Sequence, residues 1–217
     1  ARPGLVGEYF LAAGIKEDQV PQSAKPFFAR IDKAVDFESA NGEFYKSKLS
    51  DNFFVRWSGS IRIDKSGSYT FATTSDDGSR LYIDGKRVVE NWGLHGMVRK
   101  DGVAELTAGY HQIQITFSEG GGGAGCIASW IPPGGKEVVI PRAVLSHSAA
   151  SAQLVMKSWD RQKWRKAKRQ KKQKGANGAA FTSAMGPVVA TAVSLGEDGH
   201  GNNTIYRGIV VRLDKTG

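Results

Sequence analysis

The stretch Thr70–Gly85, TFATTSDDGSRLYIDG, decides how the first two-thirds of this 217-residue chain is interpreted. Strand-like runs flank Asp76-Asp77-Gly78, and the second run ends at Asp84-Gly85, a dipeptide typical of a tight hairpin turn. Adjacent carboxylates repel each other unless a positive charge lies nearby. The stretch is therefore either an ordinary polar turn between two strands or one half of a metal site.

Short strand-like runs separated by glycine and aspartate turns continue on both sides. In His111–Phe117 apolar and polar side chains alternate, as in a strand with one buried face. Glycine is abundant, at 27 residues, which suits many turns. We predict an all-β fold, an antiparallel β-sandwich or barrel, with a basic C-terminal extension that could be helical. The predicted strands are Gly7–Phe10, Phe53–Trp57, Ser60–Ile63, Ser68–Thr74, Arg80–Ile83, Lys86–Val89, His111–Phe117 and Cys126–Ile131.

The net charge of +9 is concentrated in one segment. Residues 157–174 hold ten of the 30 Lys and Arg residues and one of the 21 acids, which leaves 20 of each elsewhere. No Gly or Pro interrupts 151–174, so this segment could form a helix, with Trp159 and Trp164 holding it against the sandwich. A solvated helix, a contact with an anionic surface and an interdomain arm all fit the charge, and nucleic acid is the less favoured partner.

Three domains or segments follow from these patterns. We predict a β-sandwich over 4–147, a basic connector over 148–186, and an ancillary segment or the start of a further domain over 187–217. Ile205–Leu213 is strand-like, and a lone terminal strand needs a partner sheet, so the chain could be a piece of a longer protein.

Several functional classes find no support in the sequence. Gly120–Gly125 formally fits the dinucleotide fingerprint, but a strand follows where that motif requires a helix. The single cysteine, Cys126, excludes a disulfide framework and a cysteine-based zinc site. No two histidines have metal-ligand spacing, and no nucleophile–base pattern indicates an enzyme. No apolar run approaches the roughly 18 residues of a membrane span.

Asp76 and Asp77 could bind calcium only with an unusual backbone. Calcium takes six to eight oxygen ligands, but consecutive side chains in a strand point to opposite faces. A cis peptide would bring the two together, at about 3 kcal/mol outside proline. The pattern alone therefore favours a polar turn.

Trp92 also has an ordinary structural interpretation, because a tryptophan at such a position is more often a core residue than a platform for a sugar ring.

Six ordered landmarks make the first 147 residues resemble the PA14 domain, a β-sandwich family named after anthrax protective antigen. Pro141-Arg142 falls where such domains close. The landmarks are Gly4–Phe10, Phe54–Tyr69, Thr70–Gly85, Val88–Gly93, Leu106–His111 and Ile113–Trp130.

The resemblance implies a cis peptide between Asp76 and Asp77 and a calcium ion that chelates vicinal sugar hydroxyls, as in adhesins of the family. There a second loop adds an asparagine side chain and backbone carbonyls. The corresponding loop here, 119–125, has no Asn or Asp, so Glu119 or glycine carbonyls would take that place. We expect Asn91, Trp92, His95, Gly121 and Gly122 to shape the sugar site.

These implications lead to two expectations for function. The first is a calcium-dependent carbohydrate-binding module of an exported bacterial protein, periplasmic, cell-surface or secreted, that binds a glycan or polysaccharide. The alternative is a non-catalytic interaction or spacer module attached to other domains of a larger redox or hydrolytic enzyme. Asn203–Leu213 is similar to the start of a domain in large exported proteins with c-type haem modules. This chain has no C-x-x-C-H site for haem.

Overall fold

The computed structural model describes residues 1–11 and 26–158, with side chains up to residue 153. The helix predicted beyond Ser158, the rest of the connector and the strand Ile205–Leu213 lie outside the described residues. The strands are β1 (Arg2–Pro3), β2 (Leu5–Leu11), β3 (Phe28–Asp32), β4 (Asp36–Asn41), β5 (Phe53–Ile63), β6 (Gly67–Asp76), β7 (Ser79–Ile83), β8 (Lys86–Asn91), β9 (Val98–Leu106), β10 (Gly109–Glu119), β11 (Gly123–Ile131), β12 (Val138–Val139) and β13 (Leu145–His147). A short 3-10 helix spans Arg142–Val144, and α1 spans Ala149–Ser158.

The strands form two antiparallel sheets, which confirms the predicted β-sandwich. The larger sheet has the order β1-β13-β5-β10-β7-β8, with β2 also paired to β5 and β3 to β2. The smaller sheet has the order β12-β11-β6-β9, with β4 also paired to β11. The two runs predicted around Gly59 form the single strand β5, because β5 continues along β10 and changes only its other partner, from β2 to β13.

The core lies between the two sheets and is rich in aromatic rings. Trp57 is fully buried, with its ring stacked near Phe37 and Phe117 at centroid distances of 5.6 and 6.3 Å. The alternation predicted for β10 is present, since its apolar residues Ile113, Ile115 and Phe117 all belong to this core. Burial of such side chains, at roughly 1.5–3 kcal/mol each, is the main force that holds the sheets together.

A second group of buried side chains lies on the outward face of the larger sheet. Val6, Phe10 and Phe54 alternate with core residues along β2 and β5, yet they are buried outside the main core. Arg56 pairs there with Glu8 at 3.0 Å. Helix α1 packs against β2 and β3.

Within residues 1–11 and 26–158, no helix has the length and apolar character that crossing a membrane requires.

Four connections cross between the sheets at one end of the sandwich. The pairing of Glu119 with Phe53, and of Gly123 with Asn41, brings the ends and starts of their strands to this end. We call it the crossover end. Its connections are residues 42–52 between β4 and β5, 77–78 between β6 and β7, 92–97 between β8 and β9, and 120–122 between β10 and β11.

Candidate functional site

The turn Asp76-Asp77-Gly78 lies at the crossover end and joins the smaller sheet to the larger one. The peptide bond between Asp76 and Asp77 is cis, as the family resemblance implies. A Cβ atom at Gly78 would lie 2.8 Å from the backbone nitrogen of Gly93 and 2.9 Å from its carbonyl oxygen. Only glycine lets the turn approach the β8–β9 connection this closely.

The carboxylate of Asp77 holds two other connections to this turn. Its Oδ1 accepts the backbone N–H of His95 at 2.9 Å, and its Oδ2 accepts the backbone N–H of Gly120 at 2.9 Å. The residue is only 6% exposed. Hydrogen bonds from backbone N–H groups stabilise a charged carboxylate, so Asp77 is held in a fixed orientation where three crossover connections meet.

Asp76 lies closer to solvent than Asp77. Its Oδ2 accepts a hydrogen bond from the hydroxyl of Ser39 on β4 at 3.0 Å. The two adjacent carboxylates therefore have different surroundings, one braced by backbone N–H groups and the other less buried and bonded to a serine hydroxyl.

Glu119 places a third carboxylate next to the two aspartates. The residue is 2% exposed, and neither of its carboxylate oxygens has a hydrogen-bond partner. Burial raises its pKa to about 7, and the negative charges of Asp77 and Asp76 act in the same direction. The backbone N–H groups of Gly121 and Asp77 oppose this shift, but neither meets the geometry of a hydrogen bond to the carboxylate.

A buried network of hydroxyl groups lies next to the turn Asp76-Asp77-Gly78 and supports it. The Oγ atoms of Ser75 and Ser79 lie 2.7 Å apart, and Ser79 also donates to Thr73 Oγ1 at 2.8 Å. Asn91 is 3% exposed and its Nδ2 donates to Ser75 Oγ at 3.1 Å and to the carbonyl of Val98 at 2.8 Å. Asn91 thus braces the turn, and a contact of its side chain with a sugar stays a prediction.

The β8–β9 connection contains the other predicted sugar-contacting side chains. Trp92 is half-buried, and the guanidinium of Arg80 lies 4.5 Å from the centroid of its ring. Both ring nitrogens of His95 face backbone carbonyls, Nδ1 that of Gly96 at 2.8 Å and Nε2 that of Asn91 at 3.1 Å. Leu94, which we did not predict as a site residue, is 84% exposed.

The β10–β11 connection contains the two predicted glycines, Gly121 and Gly122, and both are exposed. The backbone N–H of Gly122 donates to Asp51 Oδ1 at 3.3 Å. We did not predict Asp51, or Ser39 and Asn41 on β4, because nothing in their spacing relates them to Asp76. The pairing of β4 with β11 brings Ser39 and Asn41 to the site.

The residues fit a calcium ion with a mixed set of ligands. Within the described part of the chain, no three His, Cys, Asp or Glu side chains form a group that could hold a metal ion. An ion at Asp76 and Asp77 would therefore also need neutral oxygens, which calcium accepts from amides, carbonyls and water. The buried, unpartnered carboxylate of Glu119 fits a nearby cation, since positive charge would offset the desolvation of its ionised form.

The fold and the three carboxylates at the crossover end define a β-sandwich domain with a candidate binding site on the connections of that end. The sequence model of the PA14 domain matches residues 1–143, and the chain belongs to that family. The curated protein Anti-sigma-I factor RsgI3 of Acetivibrio thermocellus is 29% identical over 143 residues, which are 65% of this chain and 21% of that protein.

Solved structures with this fold include an anti-sigma factor protein and a sugar-binding domain. An anti-sigma factor domain-containing protein from Clostridium clariflavum is 26% identical with a TM-score of 0.56, over 68% of this chain and 48% of that one. A PA14 sugar-binding domain from RTX adhesin is 24% identical with a TM-score of 0.61, over 68% of this chain and 100% of that one. The chain thus spans about half of the anti-sigma structure and a fifth of the curated relative.

Proposed function

We propose that this domain is a calcium-dependent carbohydrate-binding module rather than an enzyme. The observation that carries the proposal is the grouping of Asp76 and Asp77 with the buried carboxylate of Glu119, which has no hydrogen-bond partner. Three acids this close repel one another, and a divalent cation would relieve that repulsion.

Calcium is the ion that suits these ligands best. Hard carboxylate and carbonyl oxygens bind calcium and magnesium, and calcium tolerates irregular sites with more ligands. The hydrogen bonds to Asp77 fix one carboxylate in advance, so less conformational entropy is lost when the ion binds. Because Asp76 is less buried than Asp77, an ion there would keep coordination positions for ligands from outside the protein.

Vicinal sugar hydroxyls are the outside ligands that we propose. Two neighbouring hydroxyls can replace two waters on calcium, while Trp92, His95, Leu94 and the glycines 121 and 122 form the surrounding rim. The PA14 domain from RTX adhesin, which shares this fold, is a sugar-binding domain, and that likeness supports the assignment. We expect the parent protein to be exported, since a module that binds glycans or polysaccharides would meet them outside the cell.

The alternative function is a non-catalytic interaction module of a larger protein. The specific observation in its favour is the similarity to anti-sigma factors, of which this chain covers only a part. In this case the acidic turn would brace the crossover end, and the partners would be other domains or proteins rather than glycans.

Calorimetry separates the two functions. The 217-residue chain would be titrated with calcium chloride and then tested against a glycan panel with calcium or with chelator. The carbohydrate-binding proposal predicts calcium uptake that the double variant Asp76→Ala, Asp77→Ala abolishes, and glycan binding that chelator removes. A folded protein that takes up no calcium would exclude it. Calcium uptake without any glycan binding would favour the interaction module.

A further inference from the structure

The β10–β11 connection is less well placed to complete an ion's shell than its glycine content suggests. The backbone N–H of Gly120 points at Asp77 Oδ2. The C=O and N–H of one trans peptide unit point in opposite directions. The carbonyl of Glu119, which shares a peptide unit with that N–H, therefore points away from Asp77 and does not face an ion beside that carboxylate.

Strand β4 brings an oxygen donor to the same place. Asn41 lies directly opposite Gly123 in the antiparallel pairing of β4 with β11. A Cβ atom at Gly123 would lie 2.7 Å from Ser39 Oγ, 3.0 Å from Asp76 Oδ2 and 3.7 Å from Asn41 Oδ1. The absence of a side chain at Gly123 thus leaves a space bordered by three oxygens, one of them on Asp76.

The chemistry of these oxygens suits calcium. The hydroxyl of Ser39 donates to Asp76 Oδ2 and so helps to orient that carboxylate. The side-chain oxygen of Asn41 is neutral, and calcium sites commonly combine carboxylates with such amide oxygens. Asn41 is exposed, so its side chain can turn towards an ion without breaking the core.

We infer that Asn41 gives its side-chain oxygen to the calcium ion at Asp76 and Asp77, in place of the asparagine that the β10–β11 connection lacks. The inference rests on the proposed function, because it requires calcium at the aspartates. The buried carboxylate of Glu119, whose two oxygens have no hydrogen-bond partner, also favours a cation beside the aspartates.

The test is calorimetric titration of the 217-residue chain with calcium chloride. For Asn41→Ala we expect the dissociation constant to rise at least about tenfold, as metal sites do when a coordinating shell is weakened. Asn41→Asp keeps an oxygen and adds negative charge, so it should bind calcium at least as tightly as the unaltered protein. The control Gln112→Ala removes an exposed amide from the half of β10 remote from the site and should change nothing.

The possible outcomes are distinct. If the unaltered protein binds calcium and Asn41→Ala binds it equally well, the inference is overturned while the proposed function stands. If the folded, unaltered protein binds no calcium, the proposed function fails, and the inference fails with it. Thermal unfolding in chelator checks that each variant folds. Should Asn41→Ala not fold, weaker calcium binding by Asn41→Asp would overturn the inference, and binding as tight or tighter would support it.

Discussion

The Oδ2 atom of Asp77 accepts a hydrogen bond of 2.9 Å from the backbone N–H of Gly120, which lies 43 residues further along the chain. The Oδ1 atom of the same carboxylate accepts the backbone N–H of His95. Asp77 therefore joins three connections of the crossover end whether or not an ion is present. Its neighbour Asp76 accepts one hydrogen bond from an exposed serine, so the two aspartates differ in what they contribute to stability.

The first prediction separates these two aspartates in the absence of calcium. In chelator, Asp77→Ala should lower the free energy of unfolding by about 2–4 kcal/mol, because two partly buried backbone N–H groups lose their carboxylate acceptors. Asp76→Ala should lower it by less than about 1 kcal/mol, since its carboxylate is partly solvated. Urea unfolding measures both values. Equal losses for the two variants would contradict a bracing role specific to Asp77.

The second prediction concerns the buried charge of Glu119. In chelator, Glu119→Gln should be more stable than the unaltered protein at alkaline pH, because a glutamine has no charge to desolvate. The folded-state pKa of about 7 lies above the ordinary value of 4.5. The folded protein therefore binds this proton more tightly than the unfolded chain, and its stability falls as the pH rises between those two values.

Urea unfolding across this range tests the second prediction. The stability advantage of Glu119→Gln should grow from about pH 5 to about pH 8 and then level off. The control Glu105→Gln changes an exposed glutamate on β9 and should show no comparable trend. An advantage of Glu119→Gln that does not change with pH would mean that Glu119 does not titrate in this range.

How much of this site could be predicted depends on the strand that supplies each residue. Asp76 and Asp77 are adjacent in the sequence, and the family resemblance makes them candidate site residues. Ser39 and Asn41 lie on β4, whose sequence DFESAN is mostly exposed and lacks the alternation of a half-buried strand. Polar edge strands give weak signals, and only the pairing of β4 with β11 brings these side chains to Asp76.

Asn91 shows a second limit of the sequence. The sequence Asn91-Trp92-Gly93 follows a predicted strand, and we expected Asn91 to help shape the sugar site, which stays a prediction. The sequence does not show that Asn91 is buried beneath the turn, where β7 and β8 place it opposite Ser79. A polar residue is buried where partners are provided, and those partners, Ser75 and Val98, belong to other strands.

The third prediction tests the close approach at Gly78. Gly78→Ala should lower the free energy of unfolding by about 1–3 kcal/mol, because its new methyl group would meet the backbone of Gly93. The control Gly96→Ala adds the same methyl group on the same β8–β9 connection, where no atom lies within 4 Å, and should change stability little. Similar losses in the two variants would show that the approach of Gly78 to Gly93 is not what restricts this position.

The fourth prediction concerns Asp84, in the turn between β7 and β8, and His111 on β10. The His111 Nδ1 lies 2.6 Å from Asp84 Oδ2, and Asp84 Oδ1 accepts the backbone N–H of Gln112. The hydrogen bond to Asp84 raises the pKa of His111, and the same bond lowers the pKa of Asp84. Asparagine is the apt replacement at Asp84, because it tolerates the positive φ of 49° there and can still accept from Gln112.

The contribution of this pair to stability should depend on pH in a defined window. The contribution of His111 is fully present below its ordinary pKa of 6.5 and is lost as the pH rises through its raised folded value. That of Asp84 is present above 3.8 and is lost as the pH falls through its lowered folded value. Asp84→Asn should therefore lower the free energy of unfolding most at about pH 5–6 and least above about pH 8. The largest loss should be less than about 1 kcal/mol, because the pair is partly exposed. Urea unfolding of both proteins across this range measures the difference, and a cost that is constant or increases towards alkaline pH would contradict an ion pair between these residues.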